Sequence, residues 1–212
     1  MAGGLYVLGL SGSIGMGKSW AARCFRKLGV PVHDADACVH RLLGPGGAAV
    51  RPVADAFAGV MADDGGIDRA ALGACVFAND ELLARLEHIL HPRVRADQRR
   101  FLAERRREGH ALAVLDIPLL YETGAHADVD AVVVMSAPGW LQRQRVLRRP
   151  GMTAAKLDAI LARQLPDAVK RRAADFVVST GGPRGESLRA IAAIVKLSRT
   201  RRGRVWSPAW GR

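Results

Sequence analysis

Cysteine is scarce in this chain of 212 residues: Cys24, Cys38 and Cys75 are the three present, an odd number with no C-x-x-C pair. A disulfide framework and a zinc ribbon are therefore unsupported, and buried reduced thiols in a cytosolic protein are expected. Long hydrophobic runs are missing as well. Segments such as Ala111–Leu115 and Ala131–Met135 are of strand length, far short of the roughly 20 apolar residues that span a bilayer. The N-terminal residues enter an apolar run with no basic stretch and no convincing cleavage site. No secretory signal is expected, and the expected location is cytoplasmic. There is also no internal repeat and no long linker. Acids are the minority charge, 20 Asp plus Glu against 32 Lys plus Arg, which gives a net charge of +12. Five of the basic residues fall between Arg199 and Arg212, where there is no acid. Such a balance suits nucleic acid, an acidic membrane or a phosphorylated small molecule, and composition does not choose among them.

What is present is an ordinary globular composition, 49% apolar and 25% charged. A chain this long forms one domain, or one domain with a large insertion. It can hide roughly 70% of its unfolded surface. Leu5–Leu10 (LYVLGL) reads as a buried strand that runs into a glycine-rich turn. From Lys18 to Leu28 the pattern becomes helical, with Ala21, Ala22, Cys24, Phe25 and Leu28 on one face, and Gly29 ends it. Val30–His33 reads as a second strand, ending at Asp34-Ala35-Asp36. Strand, glycine loop, helix, strand implies a parallel sheet covered by helices.

The segment Ala37–Gly109 reads as mostly helical. It is broken at Pro45-Gly46-Gly47 and at Asp63–Gly66, with Asn79 or Asp80 capping a longer helix that Pro92 should end or kink. Ala111–Ile117 and Ala131–Met135 are apolar throughout, as strands covered on both faces should be. Pro138–Arg149 reads as a basic helix. Thr153 caps a helix to Gln164, Asp175–Ser179 is a fifth strand, and Gly185–Leu197 is a final helix. The expected architecture is α/β, a five-stranded parallel sheet with helices on both faces. It divides into a core (1–36, 110–138, 174–198), an inserted helical subdomain (about 37–109), a further helical segment (about 139–173) and a basic tail (199–212). A disordered, solvated terminus is expected for the tail, whose Trp206 and Trp210 leave contact with RNA or an acidic membrane open.

Gly12-Ser13-Ile14-Gly15-Met16-Gly17-Lys18-Ser19 fits G-x-x-x-x-G-K-S/T, with a strand before it and a helix after it. The glycines let successive N–H groups turn inward as an anion nest. The helix beginning near Lys18 adds its positive end. Lys18 suits the β- and γ-phosphates as a point charge, and the Ser19 hydroxyl suits Mg²⁺. The loop indicates a nucleoside triphosphate without naming the reaction. No base-reading NKxD-type motif of a GTPase is present, and a motor or transporter ATPase usually needs a longer chain and an apolar strand ending in an acid pair. A small-molecule kinase leads. Another P-loop nucleotide or sugar kinase, a nucleotide binder without turnover and a nucleic-acid binder stay open.

The chain resembles the dephospho-coenzyme A kinase family over about residues 5 to 198. GLSGSIGMGKS is similar to that family's G-L-T-G-G-I-G-S-G-K-S. Val32–Asp36 with His40-Arg41-Leu42 resembles its D-A-D strand end. Asp68-Arg69, Leu72 and Val76-Phe77 resemble D-R-x-x-L-x-x-x-V-F. Leu90-His91-Pro92 with Arg95 resembles L-H-P-x-x-R. Asp116–Leu120 with Tyr121-Glu122 resembles D-V-P-L-L-F-E, and Arg145-Val146 with Arg149 resembles R-V-x-x-R-D.

The resemblance implies the fold of P-loop nucleoside monophosphate kinases, with the helical subdomain (about 37–109) receiving the substrate and residues about 139–173 acting as a lid. It also implies transfer of the ATP γ-phosphate to the ribose 3′-hydroxyl of dephospho-CoA, with Mg²⁺, as the last step of CoA synthesis. It implies Asp36 as the base that orients the hydroxyl, with Lys18 and Arg149 as catalytic partners. Gly12 to Trp20, Arg145, Thr180 and Gly181 would bind ATP. Ser11, Asp36, His91, Arg95 and Leu119 would bind dephospho-CoA. Ser19, Asp34 and Asp116 would serve the metal. Helix capping is the alternative for one member of the Asp34/Asp36 pair. Three residues depart from the family pattern. Trp20 stands for a Thr whose hydroxyl would touch the α-phosphate, Ser11 stands for Thr, and Pro150 stands for the lid Asp.

Overall fold

The computed structural model describes residues 4–77 and 79–205. Two compact units are present, one formed by residues 1–33 and 102–212 and the other by residues 34–101.

The first unit is built on a five-stranded parallel sheet. Its strands are β1 (Tyr6–Ser11), β2 (Val32–Asp34), β3 (Leu112–Asp116), β4 (Ala131–Ser136) and β5 (Phe176–Ser179), in spatial order β2-β3-β1-β4-β5. Parallel register sets Leu8 against Val114 and Leu10 against Asp116 on one side of β1, and Leu8 against Ala131 on the other. Tyr6, Leu8, Leu10, Val114, Val133 and Met135 pack on α1 (Lys18–Lys27) and α9 (Arg184–Arg199) through Phe25, Ile191 and Val195. Full burial of one such side chain, Phe25, contributes about 2–3 kcal/mol. The alternate residues Val7, Ala113, Leu115, Val132 and Val134 are just as buried. That two-sided burial is why these strands read as unbroken apolar runs rather than alternating ones.

After β4 come α6 (Gly139–Leu147), α7 (Ala154–Ala162) and α8 (Asp167–Ala173). Thr153 caps α7, as its sequence position predicts, by accepting from Lys156 N at 3.2 Å. The helix α8 went unread because its seven residues, DAVKRRA, carry too little apolar periodicity to mark it. The basic helix stops at Leu147 rather than at Arg149. Proline disfavours helical backbone in the residue before it, and Pro150 follows Arg149 directly.

Residues 199–205 are mostly exposed, as a solvated terminus should be, but they are held by specific contacts rather than disordered. Arg199 ends α9 and donates to Leu28 O at 2.9 Å. Arg201 donates to the Tyr6 hydroxyl at 3.3 Å and lies over the Phe176 ring. The Asp130 carboxylate accepts from Val7 N, Arg204 N and Val205 N, pinning this stretch to β1. Trp206 and Trp210 lie outside the described residues.

The second unit is helical: α2 (Ala35–Leu43), α3 (Val50–Ala56), α4 (Arg69–Phe77) and much of α5 (Asp80–Arg107). Its own core gathers Leu43, Val53, Phe57, Ile67, Leu72, Leu86 and Leu90. Asp68 caps α4 by accepting from Ala70 N and Ala71 N, and Asn79 caps α5 by accepting from Glu81 N and Leu82 N. Of the end or kink expected at Pro92, the end does not occur: α5 runs through it as one 28-residue helix. Pro92 leaves His88 O without its helical donor, and the guanidinium of the neighbouring Arg93 donates to the next carbonyl, Ile89 O, at 2.6 Å.

Among the described residues no helix is long and apolar enough to cross a membrane. Cys24 and Cys38 are buried, but Cys75 is exposed on α4, against the expectation that all three thiols are covered.

Candidate active site

In an open α/β sheet, ligands sit beyond the carboxyl ends of the strands, where the connections diverge. Here that point is the end of β1, between β3 and β4. The glycine loop leaves β1 there, and α1 begins at Lys18. Gly15 and Gly17 hold φ of 77° and 90°, a conformation that a β-carbon penalises, and together they curl the loop back on itself. No acidic residue stands in the first turn of α1, so its N–H groups and positive dipole end face no anion of its own.

The strand register places Asp116 beside Leu10, at the root of the loop. Lys18 Nζ reaches across to Asp116 Oδ1 at 2.6 Å, with Asp116 5% and Lys18 17% exposed in their side chains. Ser19, the next residue on α1, is exposed. Ser11 is fully buried at the end of β1, and its hydroxyl has no hydrogen-bond partner among the described residues.

Beneath the loop, Met16 is buried, and its Sδ accepts from Ala137 N at 3.1 Å. The Thr180 hydroxyl donates to Met16 O at 2.9 Å and accepts from Arg145 Nη1 at 3.0 Å, while Arg145 Nη2 donates to Thr180 O at 2.6 Å. Arg145 and Thr180 are thus brought together as a latch under the loop. Gly181 is exposed beside it. Arg149 does not share a helix with Arg145; it lies exposed in the turn after α6. Leu119 is exposed on the turn after β3.

Trp20 is half-buried against the α1–α9 core, with the guanidinium of Arg184 5.2 Å and that of Arg23 5.9 Å from its ring centroid. The indole is accommodated by turning into packing, and two arginines cover it as cation–π partners.

In the helical unit, Asp34 caps α2 by accepting from Ala37 N at 2.9 Å. Asp36 is exposed in the first turn of that helix, so the two members of the D-A-D motif have different settings. His91 and Arg95 are both exposed, one helical turn apart on α5.

A model of the dephospho-CoA kinase family matches residues 6–183. The chain belongs to the dephospho-CoA kinase family. A dephospho-CoA kinase of Mesorhizobium japonicum is 53% identical over 199 residues, covering 94% of this chain and all of that protein. One from Rhodospirillum rubrum is 56% identical over 195 residues, 92% of each. The crystal structure of TT1252 from Thermus thermophilus superposes with a TM-score of 0.80 at 31% identity, over 92% of this chain and 97% of that one. A dephospho-CoA kinase from Campylobacter jejuni shares the fold, with a TM-score of 0.64 at 22% identity over 92% and 98%.

Several residues of this dephospho-CoA kinase family member escaped the sequence reading. Gln142 is buried on α6 and donates to Ile14 O at 2.8 Å, while Gln164 accepts from Ile14 N at 3.1 Å. Lys170 is fully buried on α8 and pairs with Glu122 at 2.8 Å. Burial pushes the Glu122 carboxyl up. The Lys170 ammonium and backbone N–H donors, Leu165 N among them at 2.9 Å, outweigh that and hold it below the usual carboxylate range. The one available signal was Gln142 standing four residues before Val146, with which it forms the buried face of α6.

Proposed function

We propose that the protein transfers the γ-phosphate of ATP to the ribose 3′-hydroxyl of dephospho-CoA, giving CoA and ADP, in the cytoplasm. The observation that carries this reading is the Lys18–Asp116 pair at the root of a phosphate-binding loop, in a chain of this family. A lysine held beside the loop is a preset charge for the β- and γ-phosphates, and it moves from carboxylate to phosphate at little conformational cost.

The Ser19 hydroxyl and Asp116 carboxylate form a hard-oxygen donor set of the kind Mg²⁺ takes alongside phosphate oxygens, so the residues present fit that ion. Bound there, Mg²⁺ would neutralise charge on the phosphate oxygens. Asp34, with one oxygen committed to its helix cap, would support the surrounding water shell.

The chain's own residues supply the rest. Backbone N–H groups of the loop between Gly12 and Ser19 cradle the phosphates, apart from those of Ile14 and Met16, which donate to Gln164 and to Ser13 O and shape the loop instead, with Trp20 following on α1. Arg145, Thr180 and Gly181 line the nucleotide end, and Arg149 reaches the transferring group. Asp36 accepts a hydrogen bond from the 3′-hydroxyl and turns its lone pair toward phosphorus. In a loose transition state the proton leaves late, so orientation is the main contribution of Asp36. Ser11, His91, Arg95 and Leu119 hold dephospho-CoA.

The test is to incubate the protein with Mg-ATP and dephospho-CoA and follow CoA by mass, with Asp36→Asn in parallel. CoA from the wild type and a strong reduction in the variant support both the reaction and the base. Measurable ATP binding without CoA refutes the acceptor, and Trp20→Thr then asks whether the indole blocks turnover.

A further inference from the structure

Ile14 sits at the tip of the phosphate-binding loop, and both of its main-chain polar groups are held by glutamine side chains. Gln164 Oε1 accepts from Ile14 N at 3.1 Å, and Gln142 Nε2 donates to Ile14 O at 2.8 Å. The two glutamines lie in different elements. Gln142 is buried on α6, and Gln164 lies just past the end of α7. The residue after it, Leu165, donates its N–H to Glu122 at 2.9 Å. Gln164 is thereby anchored through its neighbour to the segment that follows β3. The helix α6 also backs closely on the loop: a β-carbon on Gly15 would stand 2.6 Å from Val146 Cγ2, and Arg145 donates to Gly15 O at 3.4 Å.

We propose that Gln142 and Gln164 are positioning residues that set the orientation of two consecutive peptide planes in the loop, and thereby its affinity for the nucleotide phosphates. The inference rests on the ATP-binding role proposed above. In a trans peptide the C=O and N–H point in opposite directions. With Ile14 O fixed on Gln142, the Gly15 N–H points away from that glutamine. With Ile14 N fixed on Gln164, the Ser13 carbonyl points the opposite way, where it accepts from Met16 N at 3.1 Å. An anion nest works only while N–H groups face the anion and carbonyls do not. A flip of the 14–15 plane would exchange the Gly15 donor for the Ile14 oxygen, and glycine at 15 makes such a flip sterically easy. Gln142 blocks it by giving that oxygen a buried partner.

The two roles have opposite polarity, which yields a specific test. Gln164 acts as an acceptor and Gln142 as a donor. Glutamate at 164 keeps the acceptor, whereas glutamate at 142 sets oxygen against oxygen. Both substitutions add the same charge beside the same loop, so charge alone predicts equal loss. The measurement is the dissociation constant for ADP by calorimetry, together with KM for ATP and for dephospho-CoA, for Gln142→Glu, Gln164→Glu and the apolar near-isosteres Gln142→Met and Gln164→Met. Thermal melts check that each variant folds.

The expected result is a loss of ADP affinity at least about fivefold greater in Gln142→Glu than in Gln164→Glu, with KM for dephospho-CoA within about twofold throughout. The methionine variants should each lose about three- to tenfold in ADP affinity. Equal losses in the two glutamate variants, or effects confined to dephospho-CoA, overturn the proposal. If Gln142→Glu does not fold, unchanged ADP affinity in both methionine variants overturns it. Because ADP binding is read directly, a wild type that binds ADP but forms no CoA sinks the proposed reaction and still leaves the glutamine pair tested.

Discussion

Lys18 Nζ and Asp116 Oδ1 stand 2.6 Å apart, joining the first helix to the end of the third strand at the root of the phosphate-binding loop. The pair exists because β3 runs parallel to β1 in a register that sets Asp116 beside Leu10, two residues short of the loop. The carboxylate keeps the ammonium over the loop, and the ammonium compensates a carboxylate that is almost fully covered.

Asp116→Asn keeps the shape and removes the charge. It should lower kcat/KM for ATP by about 10²-fold, with Lys18→Ala costing about 10³-fold. Asp116→Ala should also destabilise the fold by about 2 kcal/mol, because it leaves a mostly covered ammonium without its partner. Steady-state kinetics and urea melts on the same preparations separate the two effects. Full activity in Asp116→Asn would remove Asp116 from the metal site.

Gly15→Ala combines two penalties. The backbone holds φ of 77°, and the new methyl would stand 2.6 Å from Val146 Cγ2 and 3.2 Å from Gln142 O. A loss of about 2–4 kcal/mol in stability is expected, together with weakened nucleotide binding. Gly46, also at positive φ, has open space where its β-carbon would go. Gly46→Ala is the control, and it should cost about 1 kcal/mol without touching ADP affinity.

Glu122 makes acid stability specific. Its carboxyl is held below the unfolded value of about 4.3. The stabilisation is therefore present above that pH and is lost as pH falls through the lower folded value. Urea midpoints measured from pH 6 to pH 3 should fall more steeply for the wild type than for Glu122→Gln below about pH 4.3. Parallel curves would mean that the pair with Lys170 adds nothing beyond packing. Lys170→Met should be the more damaging change, costing about 3–5 kcal/mol, since it strands a covered carboxylate.

The thiols should separate cleanly. Cys75 is exposed, whereas Cys24 and Cys38 are buried. Burial and the neighbouring Asp97 push the Cys38 thiol up to about 12, so it stays protonated at pH 8. A thiol-reactive dye at that pH should titrate one cysteine rapidly in the native protein and all three after unfolding. Cys75→Ser should remove the fast phase.

Much of the site was legible because its chemistry is local. Eight consecutive residues encode the phosphate-binding loop, since the glycine conformations, the lysine and the start of the helix all lie within two turns of chain. The strands β1, β3 and β4 were legible from apolar runs that burial on both faces demands, and the shorter β2 and β5 from their place after a helix. The alternative uses of Asp34 and Asp36 were legible as a pair, and the structure gives the cap to Asp34.

Some of the failures are local to one turn and others are long-range. Pro92 reads in sequence as an end or a kink, and the end does not occur, since α5 continues through it with one face in the core of the helical unit. Arg145 and Arg149 look like one helical face, but Pro150 ends that helix early. Arg201 and Arg204 look like a solvated tail until Tyr6 and Asp130 meet them from the other end of the chain. The loop, the order of the strands and the family are written in the sequence alone. The tertiary structure alone decided that Lys18 meets Asp116, that two distant glutamines hold Ile14, and that Lys170 is buried against Glu122. Local patterns report what neighbouring residues can do to one another. These pairings depend on strand register and helix docking, which bring together side chains 48 to 150 residues apart.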